Sequence, residues 1–297
     1  MNFTEKWLAA VEGKNSVLCA GLDPADFKMG RGDEGLPEGK NKLEWAIHYI
    51  NAISNHCAAI KPNTQYWKGE KDSVWLRGAI EHAKGNGLVV IDDVKLADIG
   101  STNGAGVFYS AEIGSDALTI APYAGNMGET SGFCRERGIG AITMCLMSNP
   151  EYAMEKEMLV SLSREDQESY ELDDLVNFDG LGTNVYVKRY VQLAHDAKKF
   201  GLDGIVIGAP SGKNHIKEKE IEKARYYVGK DMFALVPGVG AQGGEARSIF
   251  RHFGPSNVIV NVGRGLMFPN GPTSSFEDYK SAARRHKDML NGLRQAQ

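Results

Sequence analysis

Cysteine is scarce: four residues in 297, at Cys19, Cys57, Cys134 and Cys145, with no CxxC pair among them. That spacing speaks against a disulfide framework or a zinc ribbon and predicts small core thiols in a reducing, cytoplasmic setting. Histidine is nearly as sparse. His48, His56, His82, His195, His215, His252 and His286 show no metal-ligand spacing, so no metal is expected. No apolar run approaches the roughly 18 residues that a membrane span needs. The opening stretch, MNFTEKWLAAVEGKN, is an amphipathic helical pattern with internal acids and lacks a signal peptide's apolar core. A formal net charge of -4 leaves no basic excess, so neither nucleic acid nor a membrane surface is an expected partner. An anionic ligand would have to be gripped by a local cluster of donors. Internal repeats and low-complexity tracts are absent as well.

What the chain does have is a rhythm. Short runs rich in Val, Ile, Leu and Ala recur at 16–22, 58–61, 87–93, 117–120, 141–146, 204–207, 232–236 and 257–262. Most are nearly continuously apolar, as parallel strands covered on both faces are. Helical patterns fall between them, at 42–54, 73–85, 127–137, 187–200, 217–228 and 244–252, and a charged helical pattern begins at 276. Strand–helix alternation repeated eight times predicts one α/β domain over 1–297, a (β/α)₈ TIM barrel, over a doubly wound sheet. One interval breaks the rhythm. Between 146 and 204 the chain runs about twice the usual spacing, and its acid-rich stretch at 148–184 reads as an insertion after strand five, on the rim.

Chemistry concentrates where strands end. The segment VVIDDVKLADIGST, 89–102, carries Asp93 and Lys95 two residues apart, a spacing that puts both side chains on one face of a strand. Asp98 and Thr102 follow in the loop or the first helical turn. Asp92 points the other way, toward the helices. Lys61 ends the second run in AAIKPN, and Asp23 ends the first in GLDP. Charges at the end of a buried strand are costly unless paired or used, and three adjacent strands deliver them to one rim. That rim is where a barrel keeps its site.

The later loops read as a phosphate site. Gly238-x-Gly240-x-x-Gly243 superficially fits a dinucleotide fingerprint, but it follows the seventh run and no acid ends the next strand, which runs into Asn261 and Val262. Barrels instead bind phosphate at the loops after strands seven and eight, here 238–244 and Gly263-Arg264-Gly265. Glycines admit backbone N–H groups, and Arg264 offers a two-pronged grip. GAPSGKNH after the sixth run lacks the Ser or Thr after Lys213 that a Walker site requires. Asn63 and Gln65, after the second run, are further candidates for substrate contact or turn chemistry.

Taken together, these motifs resemble those of the orotidine 5'-phosphate decarboxylase family, in its longer bacterial and plant-type form. The family signature Asp-x-Lys-x-x-Asp-Ile-Gly-x-Thr is matched by Asp93, Lys95, Asp98, Ile99, Gly100 and Thr102. The resemblance spans all eight runs and implies decarboxylation of orotidine 5'-monophosphate to uridine 5'-monophosphate without a cofactor. It implies catalytic roles for Lys95, Asp93, Asp98 and Lys61, with Asp23 on the ribose and Ser148, in LMSNP, on the pyrimidine. Pro237, Gln242, Gly263 and Arg264 fall where the family holds phosphate and closes the ring pocket. It further implies a homodimer in which Asp98 and Thr102 reach into the neighbour's site. The 236–247 loop is a little shorter than the family's usual phosphate loop. Decarboxylases of keto-gulonate phosphate share the Asp-x-Lys-x-x-Asp core and are the alternative reaction. A nucleotide-binding barrel without turnover is the alternative class, though mere binding has no need of two lysines among three carboxylates.

Overall fold

A computed structural model describes residues 1–178, 184–239 and 245–296. Eight parallel strands close into a barrel: β1 (Leu18–Leu22), β2 (Ala59–Pro62), β3 (Val89–Leu96), β4 (Ala117–Ile120), β5 (Gly140–Leu146), β6 (Gly204–Ile207), β7 (Phe233–Pro237) and β8 (Val258–Val262). Each is hydrogen-bonded to its chain-order neighbours, and β8 closes on β1 through Leu18↔Val260 and Cys19↔Asn261. All eight strand expectations are met within a few residues. β3 differs most, running three residues past its expected end to include Lys95.

Around the barrel lie α1 (Phe3–Lys14), α2 (Lys42–Ile53), α3 (Asp72–Gly85), α4 (Gly100–Glu112), α5 (Met127–Glu136), α6 (Arg189–Lys199), α7 (Glu218–Val228), α8 (Arg247–Phe253) and α9 (Phe276–Gln295). The strands read as continuous apolar runs because their outward side chains meet this helix layer: Leu18, Ile60, Val90 and Leu118 are fully buried. Each such side chain contributes about 1.5–3 kcal/mol through its removal from water. α1 closes the N-terminal end, with Phe3 edge-on to Phe233 and the Trp7 Nε1–H donating to Ser256 O at 2.8 Å. α9 is held against α2 by Tyr279, which stands edge-on to Tyr49 and accepts from Trp45 Nε1 at 3.1 Å.

The inserted stretch after β5 leaves from the rim, but most of its body lies along the flank. Leu159–Ser161, Val185–Lys188 and Val176–Asn177 form a small antiparallel sheet. Its strand at 185–188 replaces the expected first turn of α6. Near the mouth, buried Lys156 pairs with Glu220 at 2.6 Å. Farther along the helices Asp174 takes Lys223 and the Tyr227 hydroxyl, and Asp166 takes Lys199 at 2.8 Å. The acids that marked the segment as surface are its clamps to α6 and α7.

Candidate active site

Register decides which side chains face the barrel axis. Partners across parallel strands share a face, so Gly21↔Lys61, Cys19↔Ala59 and Ala59↔Val89 put Gly21, Lys61, Val89, Ile91 and Asp93 in inward rows. Cys19↔Asn261 adds Asn261 to them. Lys61 Nζ donates to Asp93 Oδ2, and Lys95 Nζ donates to Asp93 Oδ1. One carboxylate thus carries two ammoniums, one on each oxygen. Lys61 is buried, whereas the Lys95 side chain is 38% exposed and open to a ligand.

Burial works against every charge here, and neighbours decide the outcome. It raises the Asp93 carboxyl, but Lys61 and Lys95 outweigh it and hold Asp93 well below the ordinary carboxylate range. It lowers the Lys61 ammonium, yet Asp93 and Asp23 bring it up to about 12. Asp23 is raised, because its burial exceeds the pull of Lys61. Its Oδ1 accepts from the Asn63 N–H at 3.0 Å, so the start of the β2 loop is tied to the end of β1. That loop is itself anchored by a buried pair, Lys42 Nζ to Asp72 Oδ2 at 2.6 Å, with Lys42 also donating to Tyr66 O.

Beside the array lies a cavity of about 290 Å³ lined by Asp23, Arg31, Glu34, Pro237, Asn261 and Arg264. β1 and β8 approach so closely that a Cβ on Gly21 would stand 2.8 Å from Gly263 Cα. Only glycine at 21 lets the Arg264 loop come down beside Asp23. Arg264 Nη1 donates to both carboxylate oxygens of Glu34, each at 2.9 Å, in an exposed pair at the mouth. At the ends of β5 and β6, outside that lining, Ser148 packs on Gly208, where an added Cβ would meet Ser148 Cβ at 2.6 Å. A larger groove, about 970 Å³, sits at the opposite end among Lys6, Lys14, Lys84 and Lys287. Size therefore does not locate the chemistry.

The expected residues other than Ser148 fall into three groups. Asp23, Lys61, Asp93 and Lys95 are brought together, and Pro237, Gly263 and Arg264 line the adjoining cavity. Asp98 and Thr102 lie exposed at the start of α4, and Asp98 Oδ1 accepts from its neighbour Ile99 N–H at 2.8 Å. Gln242 lies outside the described residues. Sequence reasoning passed over Thr119, Asn261, Arg31 and Glu34. Asn261 is the one with a usable signal, an amide in an otherwise apolar strand; it is buried, and its Oδ1 has no partner among the described residues. Among the described residues no group of three or more His, Cys, Asp or Glu side chains could hold a metal ion, and no helix is long and apolar enough to cross a membrane.

A closed (β/α)₈ barrel with a paired-lysine carboxylate array at its carboxyl-end mouth defines a barrel enzyme that handles anionic charge. The chain belongs to the orotidine 5'-phosphate decarboxylase / HUMPS family, whose model matches residues 16–279. It is 30% identical over 299 residues to an orotidine 5'-phosphate decarboxylase of Halobacterium salinarum, covering 98% of this chain and 99% of that protein. A second, from Natronomonas pharaonis, is 29% identical over 301 residues, covering 98% and 99%. These end-to-end matches place the chain with the longer bacterial and plant-type members. Among solved structures it resembles the Leishmania donovani OMP decarboxylase, with a TM-score of 0.73, 21% identity and full coverage of both chains. At that identity the likeness speaks for the fold.

Proposed function

We infer that this chain decarboxylates orotidine 5'-monophosphate to uridine 5'-monophosphate and CO₂. Membership of the family supports the reaction, and one observation carries the assignment of roles: Asp93 accepts from Lys61 and Lys95 at once, in a buried mouth. The C6–carboxylate bond breaks, CO₂ departs, and its bonding pair stays on C6 as a carbanion with almost no resonance relief. Lys95 stands beside C6, stabilises that charge as it grows, and donates the proton that completes the product. Charge stabilisation by groups already in place is usually the largest catalytic contribution. Asp93 holds Lys95 aligned, and Lys61 on the other oxygen of that carboxylate fixes its orientation.

Asp23 takes the ribose, Ser148 the pyrimidine edge, and Arg264 the phosphate together with Pro237, Gly263 and Gln242. Phosphate binding lies away from the reacting atom, so its binding energy serves to close and order the site. Asp98 and Thr102 act across a homodimer interface, on the partner's array. Their exposure at the start of α4 supports that reading. The barrel, with its inserted segment, folds as one domain in the cytoplasm.

Loss of orotate-ring ultraviolet absorbance, followed with Lys95→Ala alongside, tests this directly. Wild-type protein forms uridine 5'-monophosphate. Lys95→Ala loses turnover by more than about 10³-fold, at the upper end of what removing one preorganised charge costs, while its affinity for product is largely kept. A wild type that leaves the substrate untouched over many equivalents rejects the reaction and makes sugar-phosphate keto acids the next substrates to try. Turnover surviving in Lys95→Ala rejects the role of that lysine.

A further inference from the structure

Lys95 has a feature that a plain strand end does not explain. Its φ is +52°, in the left-handed region, although it is neither glycine nor at a turn. For an L-residue that conformation is strained and persists only where neighbours enforce it. At the same place the β3–β4 register slips between Asp92 and Leu96: Asp92 pairs with Leu118, and pairing resumes at Leu96↔Ile120. β3 is kinked there, and the kink sets the direction in which Lys95 leaves the strand.

Thr119 on β4 spans the kink. Its Oγ1 accepts from the Lys95 backbone N–H at 3.0 Å and donates to Asp93 Oδ1 at 3.1 Å. The same Asp93 oxygen accepts from Lys95 Nζ, so a ring closes through Lys95 N–H, Thr119, Asp93 and back to the Lys95 ammonium. Thr119 is buried, and its one proton and one of its lone pairs are committed inside this ring. A hydroxyl here replaces the ladder partner that the bulge removes and fixes the carboxylate that orients the ammonium.

We propose that Thr119 is a positioning residue for the reaction inferred above: its hydroxyl holds Lys95 in the left-handed conformation and Asp93 in the rotamer that aims the ammonium at the reacting carbon. The role belongs to the hydroxyl and not to the volume of the side chain. Valine keeps the shape but leaves the Lys95 N–H unpaired in a buried place and frees Asp93 to turn. Serine keeps the hydroxyl and loses only a methyl.

The test compares wild type, Thr119→Val, Thr119→Ser and Thr119→Ala in kcat, KM, uridine 5'-monophosphate affinity and thermal melting. Thr119→Val is expected to keep product affinity within about 3-fold and to lose kcat by about 10²-fold, the scale of one misplaced electrostatic group. Thr119→Ser should recover to within about 10-fold of wild type. A crystal structure of Thr119→Val should show Lys95 with negative φ. An unchanged kcat in the valine variant overturns the proposal, and so does a serine variant as impaired as valine, which would make the methyl the important group. If valine prevents folding, alanine against serine is read by the same criteria. An inactive wild type defeats the functional reading instead. The Lys95 backbone in the valine variant then still decides the structural half.

Discussion

Asp92 and Asp93 are chain neighbours on β3, and strand alternation sends them to opposite sides of one barrel wall. Both are buried, at 2% and 8% exposure, yet their chemistry diverges. Asp93 faces the axis, holds two ammoniums and stays ionised far below the usual range. Asp92 faces α4, where Ser110 Oγ donates to its Oδ2 at 2.5 Å and its Oδ1 has no partner among the described residues. Burial raises its carboxyl to about 6, with the Ser110 hydrogen bond restraining the rise. Depth alone therefore says little about a carboxylate. The same loss of water is overcome where lysines converge and prevails where a single hydroxyl is the partner.

The sharpest way to break the contrast is to make Asp93 neutral. Asp93→Asn leaves buried Lys61 beside Lys95 without their shared counter-charge. Removing one partner of a buried pair costs about 3–5 kcal/mol of stability. Turnover should fall by at least about 10³-fold, since two charges lose their alignment together. Pairing Asp93→Asn with Lys61→Met separates the two effects. Stability measured by urea denaturation should recover in the double variant, because the buried Lys61 ammonium is removed along with its partner, whereas kcat should not. Full recovery of both would mean that Asp93 serves the fold alone.

The complementary change, Asp92→Asn, should act on stability and its pH dependence. The Asp92 carboxyl titrates near 6 in the folded chain and near 3.8 when unfolded, so between those values the folded state keeps a proton that the unfolded state has released. Its contribution to stability therefore falls as pH rises from about 4 to about 6 and stays lost above. At 1.36 kcal/mol per pKa unit, the gap from 3.8 to about 6 caps the effect at about 3 kcal/mol. Asp93 has the opposite sign, giving stability that is lost only as pH falls below the ordinary carboxylate range. Urea midpoints at pH 4.5 and 7.5 should show Asp92→Asn gaining on wild type at the higher pH, with kcat preserved. Equal pH slopes for the two proteins would show that Asp92 is ionised without cost.

How much of this could be read before folding follows from what each residue's partner is. The eight strands and the rim array were legible because burial on both faces leaves long apolar runs, and charges at their ends have nowhere inexpensive to go. Lys61, Asp93 and Lys95 announce themselves by type and position. Thr119 does not: a β-branched residue inside a strand is what a strand ordinarily contains, and its use depends on a kink in the neighbouring strand. The insertion was legible as an interruption, but its path was not. Its acids are clamps only because Lys199, Lys223 and Tyr227 stand along two helices that come later in the chain. Ser148 was visible as a strand-end serine, while the bare Cα of Gly208 that seats it was not.

The pair of Glu34 and Arg264 extends the comparison from the barrel wall to its mouth. It has the donor and acceptor chemistry of the Lys61–Asp93 pair, but its side chains are 45% and 43% exposed. Water and salt screen such a contact, so it is worth about 0.2–1 kcal/mol. The residues are 230 positions apart, which kept the contact out of reach of sequence reasoning. A substrate phosphate that uses Arg264 has to displace the Glu34 carboxylate, which also repels it. Glu34→Gln should leave the melting temperature and kcat nearly unchanged and lower KM by up to about 5-fold, the equivalent of about 1 kcal/mol. Raising the salt concentration should shrink that difference, because the competing contact is already weakened in wild type. A KM that rises instead would reverse the role: Glu34 would then be holding Arg264 in the phosphate-ready position, as Asp93 holds Lys95 inside the barrel.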